Sequence, residues 1–188
     1  MILGITGTNG AGKGAVVDYL VEKKGFAHYS VRQAIIEEIE RRGLEVNRTN
    51  TGIVGTDLRQ TYGGGYFTDL FTKSADAAGQ HDIIIESIRS LDEAKSIKER
   101  GGFVIAVDAP RELRYERIVG RGSGTDNVSF EQFCFEEDRE MTPKDPNDPA
   151  QMNVKQVMTD ADYTIVNDGS FNGLAEKIEG MLTELAAR

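Results

Sequence analysis

The sequence predicts an α/β fold in three layers: a five-stranded parallel sheet with helices on both faces. Three observations predict it. Short apolar runs alternate along the 188-residue chain with stretches whose apolar residues recur at helical spacing. Strands separated by helices are joined by crossovers, and crossovers make parallel strands. The first apolar run ends in a glycine-rich turn that opens a helix, and in such sheets ligands collect at the carboxyl ends of the strands.

Each element has its own signal. Ile2 to Thr6 is the first strand, and Val16, Val17, Leu20 and Val21 mark a helix that Gly25 stops. Phe26 to Ser30 is extended, and Ala34, Ile35 and Ile39 begin a second helix that ends at Gly43. Residues 50–62 and 66–78 read as two helices around Gly63-Gly64-Gly65. Ile83-Ile84-Ile85 is a β-branched buried strand. Ser90 and Glu93 have capping-box spacing for a helix through Arg100. Phe103 to Val107 is the fourth strand, and Pro110 opens the next helix. Residues 122–149 differ from the rest: a glycine-rich loop at 122–127, a short helix opened by Ser129 and Gln132, then Pro143, Pro146 and Pro149. Tyr163 to Val166 is the last strand. Asn167-Asp168-Gly169 is a turn, and Leu174, Ile178, Met181, Leu182 and Leu185 stripe the last helix. The aromatics Tyr62, Tyr66, Phe67 and Phe71 are expected in the core, and His28 and His81 are structural or exposed.

Composition narrows the function. The chain is 39% apolar and 28% charged, with a formal net charge of −9. That field repels phosphate, so nucleic acid and anionic membranes are not expected partners. Phosphate ligands need local cations. The lone cysteine, Cys134, makes no internal disulfide and suits a reducing compartment. The opening MILGITG is too short for a leader or a membrane span, so a cytoplasmic location is expected.

Gly7, Thr8, Asn9, Gly10, Ala11, Gly12 and Lys13 fit G-x-x-x-x-G-K between a strand and a helix. In that context the backbone N–H groups converge on phosphate oxygens, and Lys13 adds a mobile charge. Gly14 and Ala15 complete the expected nucleotide cradle, and the fold is that of a P-loop NTPase. Ala15 stands where a hydroxyl usually contacts Mg²⁺. A lost charge-assisted hydrogen bond is worth about 1.5–3 kcal/mol. Glu86 ends the third strand beside this loop, the place for a carboxylate that orients hydrated Mg²⁺. Arg114, Arg117 and Arg121 share one face of their helix by spacing. Ser30 and Arg32 follow the second strand, where an acceptor would lie, and Arg59 has weaker support for the same place.

With glycine after the loop lysine, the sequence resembles the adenylate kinase group of nucleoside-monophosphate kinases. Glu86 followed by Arg89, and Glu116-Arg117-Ile118-Val119-Gly120-Arg121, resemble the same group. The order of elements is also like adenylate-kinase-related and dephospho-CoA-kinase-related proteins. The resemblance implies that Arg89 holds the acceptor's phosphate, Arg117 packs on adenine, and Arg121 reaches the phosphates. Arg139 is a weaker lid candidate. Asn167-Asp168-Gly169 is either an adenine-edge contact or only a turn.

The reading is therefore one P-loop kinase domain over residues 1–188, with an acceptor-binding helical region at about 31–80 and a small helical lid at about 122–149. It uses ATP and Mg²⁺, with Lys13, Arg121 and Glu86 catalytic and Ser30, Arg32 and Arg89 binding the acceptor. The expected reaction moves the γ-phosphoryl of ATP to a nucleoside monophosphate. A hydroxyl acceptor, as in nucleoside or dephospho-CoA-like kinases, and a non-catalytic ATP-binding switch stay open. No N-K-x-D guanine motif is present, and an AAA-type motor is not expected because the strand ends in Glu86-Ser87 rather than an Asp-Glu pair.

Overall fold

The computed structural model describes residues 1–122, 128–143, 145, 148 and 151–188, with backbone alone at 139 and 140. The expected loop at 123–127, Pro146, Pro149 and the Arg139 side chain lie outside the described residues. Strands β1 (Ile2–Gly7), β2 (Ala27–Ser30), β3 (Ile83–Glu86), β4 (Phe103–Asp108) and β5 (Tyr163–Val166) form one sheet in the order β2-β3-β1-β4-β5. Every neighbouring pair is parallel. The described helices are α1 (Lys13–Lys24), α2 (Val31–Arg41), α3 (Arg48–Tyr62), α4 (Tyr66–Ala77), α5 (Leu91–Glu99), α6 (Arg111–Arg121), α7 (Phe130–Met141), α8 (Val154–Thr159) and α9 (Phe171–Ala186).

The two-residue period of the strands sorts the core into two layers. Leu3, Ile5, Ile84, Ile105, Val107 and Ile165 face α1 and α9. Ile83, Ile85 and Val104 face α2, α3, α4, α5 and α8. Each buried Leu or Ile contributes about 1.5–3 kcal/mol relative to exposure. Because both faces are covered, the strands read as unbroken apolar runs rather than alternating ones. The strand order reverses at β1, which has β3 on one side and β4 on the other. That switch point opens a crevice at the carboxyl end of β1.

Caps set the helix starts more sharply than apolar spacing did. Ser30 Oγ accepts from the Gln33 N–H, so α2 begins at Val31, ahead of the apolar pattern. Asn47 Oδ1 accepts from the Asn50 N–H and starts α3 at Arg48. Ser90 and Glu93 form the expected full capping box. At α7 only half of one exists: Ser129 accepts from the Gln132 N–H, but the Gln132 side chain bonds Glu136. The short helix α8 escaped the sequence reading, which saw only breakers before it. Asn153 caps it, and Val154 and Val157 are buried one turn apart. Phe67 and Phe71 are core as expected, but Tyr62 is 64% exposed and stacks on Tyr66.

Candidate active site

The loop after β1 is shaped by glycines that close contacts require. At Gly7 (φ 137°) a Cβ would lie 2.0 Å from the Val107 carbonyl oxygen. At Gly12 (φ 93°) it would lie 2.1 Å from Asn167 Nδ2. Both positions exclude a side chain. Asn167 Nδ2 donates to the Ala11 carbonyl at 2.9 Å, so the β5–α9 turn supports the loop from beneath. Lys13 Nζ donates to the carbonyls of Gly7 and Thr8, each at 2.9 Å, and so curls over its own loop. Gly12 gives α1 no side-chain cap, and its first turn has no acidic residue. The N-terminal N–H groups of α1 are thus an anion site in waiting. The side chains of Thr8 and Ala11 point inward. Thr8 Oγ1 donates to Asp108 Oδ1 at 3.1 Å, and Ala11 is buried in the core, so only their backbone can meet a ligand.

The second wall follows β3. Parallel register pairs Glu86 with Ile5, which brings the Glu86 carboxylate beside the start of the loop. His28 Nε2 donates to Glu86 Oε2 at 3.1 Å. Sequence spacing hid this contact, because it depends on β2 lying next to β3. Burial pushes the Glu86 carboxyl up, but the His28 hydrogen bond and the charges of His28, Lys13 and Arg32 outweigh it. The group therefore titrates below the usual carboxylate range. Three residues on, the Arg89 N–H donates to Glu93 Oε2 at 2.9 Å, and the Arg89 carbonyl accepts from Asn153 N–H at 2.8 Å. Arg89 is clamped from both sides.

The third wall is α6, where the structure corrects the sequence reading. Arg114 does not share an open face with Arg117 and Arg121. It is 5% exposed and pairs with Glu137 of α7. It also donates to the carbonyls of Ala109 and Asn9. Its job is to tie α7 to the loop. Arg117 does lean over the loop: a Cβ on Gly12 would be 3.9 Å from its Nη1. That Nη1 is buried with no hydrogen-bond partner among the described residues.

These walls enclose a cavity of about 890 Å³. It is lined by Asn9, Gly10, Gly12, Lys13, Gly14, Ala15, Ser30, Arg32, Glu86, Arg89, Arg117 and Arg121, all singled out from sequence. Gly7, Thr8 and Ala11 lie under it instead. Arg48, Arg59, Asn47 and Ser87 also line it, and of these only Arg59 was suspected. Ser30 Oγ accepts the Gln33 N–H, which uses one of its lone pairs and leaves its O–H to donate. Among the described lining residues there are seven cations (Lys13, Arg32, Arg48, Arg59, Arg89, Arg117 and Arg121) and one carboxylate, Glu86.

The sequence matches the family described as AAA domain over residues 3–145. A UPF0200 protein of Pyrobaculum aerophilum is 31% identical over 187 residues, covering 98% of each chain. The chain belongs to the AAA domain family and to the UPF0200 proteins. The AAA heading covers this chain even though its strand end lacks the Asp-Glu pair on which a motor was set aside. Among solved structures, TT1252 from Thermus thermophilus overlays with a TM-score of 0.58 at 22% identity, covering 98% of this chain and 97% of the other. A shikimate kinase from Aquifex aeolicus overlays at 0.56 and 16% identity, covering 99% and 98%. This UPF0200 chain has the P-loop kinase fold. Among its described residues, no helix is long and apolar enough to cross a membrane.

The residues present fit a nucleotide with Mg²⁺. The loop turns uncapped N–H groups and Lys13 toward the cavity, Arg117 keeps a buried unpaired donor above Gly12, and Glu86 stands ionised at the loop's flank.

Proposed function

We propose that this protein is an ATP- and Mg²⁺-dependent phosphotransferase of the nucleoside-monophosphate kinase type, akin to the adenylate kinase group. The observation that carries the reading is the cavity's charge: seven cationic side chains line it against one carboxylate, and although Arg48 and Arg59 are paired with Glu136 and Glu93 behind the wall, the excess is still positive in a chain of net charge −9. Concentrating cations against the mean field suits polyanionic ligands. The volume, about 890 Å³, lies near the top of the range for small-molecule sites and suits two ligands together.

In this reading the loop from Gly7 to Ala15 holds the donor's phosphates, and Arg117 covers its base. Lys13 leaves the Gly7 and Thr8 carbonyls for the outer phosphates, and Arg121 meets the transferring group. Glu86 would hold the hydrated Mg²⁺, which would supply charge neutralisation at the outer phosphates. Ser30, Arg32 and Arg89 hold the acceptor, with Arg89 on its phosphate. A monophosphate oxygen is already ionised, so the chain needs no base; it needs position and positive charge. Residues near 31–80 would form the acceptor side, and α7, the described helix of the expected lid region, would cover the site and exclude water.

A second reading, a hydroxyl acceptor, draws support from Glu86. It is the cavity's carboxylate among the described residues and is held ionised, as a proton acceptor must be. ADP release from ATP·Mg²⁺ decides between them across nucleoside monophosphates, nucleosides and dephospho-CoA. Release with one monophosphate supports the first reading. Release with a hydroxyl acceptor alone makes Glu86 the base. Tight ATP binding with no release under any acceptor favours a binding switch.

A further inference from the structure

Metal-linked phosphate loops generally carry a Ser or Thr hydroxyl near the lysine that contacts Mg²⁺. Here Ala15 lines the cavity and brings only a methyl group. On the neighbouring strand end, Ser87 follows Glu86 and lines the same cavity. It is 8% exposed, and its Oγ has no hydrogen-bond partner among the described residues. Its backbone is left-handed, at φ 70°, alone among the described non-glycine residues. Glycine adopts that conformation freely, and serine does so at a cost. Its hydroxyl is not one of the sealed, unpartnered polar atoms, so it is open to the cavity, and no protein group among the described residues offsets that cost. Backbone strain kept beside a ligand cavity points to a use for the side chain.

The position is fixed as well as strained. The N–H groups of Ser87 and Ile88 both donate to the Ile5 carbonyl, at 3.0 and 3.3 Å. Ile5 lies two residues before Gly7, where the phosphate loop opens. The Ser87 hydroxyl is therefore held at the junction of Glu86 and the loop, on a turn that cannot drift from β1.

We infer that Ser87 supplies the hydroxyl that Ala15 lacks, holding the hydrated Mg²⁺ of the bound nucleotide together with Glu86. This rests on the nucleotide reading above. It makes the loop a divided device, with the cradle on β1–α1 and its metal-directed hydroxyl on the turn after β3.

The test is calorimetric binding of a non-hydrolysable ATP analogue, with Mg²⁺ and in excess EDTA. The proteins are the wild type, Ser87→Gly, and Ser87→Gly combined with Ala15→Thr. Glycine suits φ 70°, so the single variant should melt no lower than the wild type, which separates binding from folding. Wild type should bind more tightly with Mg²⁺. In Ser87→Gly that metal-dependent gain should fall about tenfold or more, the size of a charge-assisted hydrogen bond, while affinity in EDTA stays unchanged. Ala15→Thr should restore the gain. A full gain retained by Ser87→Gly overturns the inference and leaves the nucleotide reading standing. Wild-type binding that is indifferent to Mg²⁺ also overturns it alone. No analogue binding in either buffer overturns both.

Discussion

Arg59 and Glu93 form an ion pair sealed from solvent, 3% and 0% exposed, and it joins α3 to the turn that carries Arg89. Arg59 Nε and Nη2 donate to Glu93 Oε1 at 2.9 and 2.8 Å. Glu93 Oε2 accepts the N–H groups of Arg89 and Ser90 at 2.9 and 3.1 Å. The guanidinium also lies 5.2 Å from the centre of the Phe67 ring. One carboxylate thus caps α5, anchors α3 and fixes the backbone of a cavity arginine.

Removing one member leaves a buried charge without its partner, which costs about 3–5 kcal/mol. Glu93→Gln should lower the urea-derived unfolding free energy by that amount. Arg59→Met with Glu93→Met should lose less than the two single variants summed. A Glu93→Gln loss below about 1 kcal/mol, typical of an exposed pair, would mean the pair is open to water in solution.

Arg114 and Glu137 make the corresponding joint between α6 and α7. Arg114 reaches the Asn9 carbonyl of the loop and stacks 5.7 Å from the Phe133 ring centre. Tyr115 of α6 packs against Phe130 and Phe133 of α7. Glu137→Ala should release α7 selectively. Hydrogen exchange of α7 amides should quicken while β1 and β3 amides keep their protection. Equal loss across the whole chain would show that α7 unfolds only with the sheet.

Lys13 Nζ donates to two loop carbonyls, and Lys13 belongs to neither apolar core cluster. Lys13→Ala should therefore abolish phosphoryl transfer while shifting the thermal midpoint little. Steady-state ADP release and a melting curve measured on one preparation check this. Unchanged turnover would remove the loop from the chemistry.

Glu86 is more acidic in the folded chain than in the unfolded one. The unfolded state then binds more protons at a given pH between the two values, so stability rises with pH there. The contribution is complete above the unfolded value and is lost as pH falls through the folded value. Urea midpoints measured down through the acid range should show this limb in wild type and a shallower one in Glu86→Gln. Parallel limbs would mean that Glu86 has the same acidity in both states.

Arg48 bridges α3 and α7 through Glu136 while lining the cavity. Arg48→Ala should weaken acceptor binding, read as a rise in acceptor KM of several-fold with the ATP KM unchanged. An equal rise in both would assign Arg48 to general packing.

The sequence by itself determined the layered sheet, because apolar runs and helical stripes are local patterns with distinct periods. It also determined the phosphate loop, because the spacing of Gly7, Gly12 and Lys13 between a strand and a helix is a local pattern, although the contacts that exclude a side chain at Gly7 and Gly12 come from distant Val107 and Asn167. Tertiary structure decided which cations line the cavity. Arg114 and Arg117 are three residues apart and indistinguishable by spacing, yet one is spent on Glu137 and the other keeps a buried donor over Gly12. His28 meets Glu86, and Arg59 meets Glu93, only because strand order and helix packing bring distant segments together. The left-handed turn at Ser87 was equally hidden, since a serine carries no signal of positive φ. Side-chain partnership depends on long-range contacts, and periodicity along the chain does not encode them.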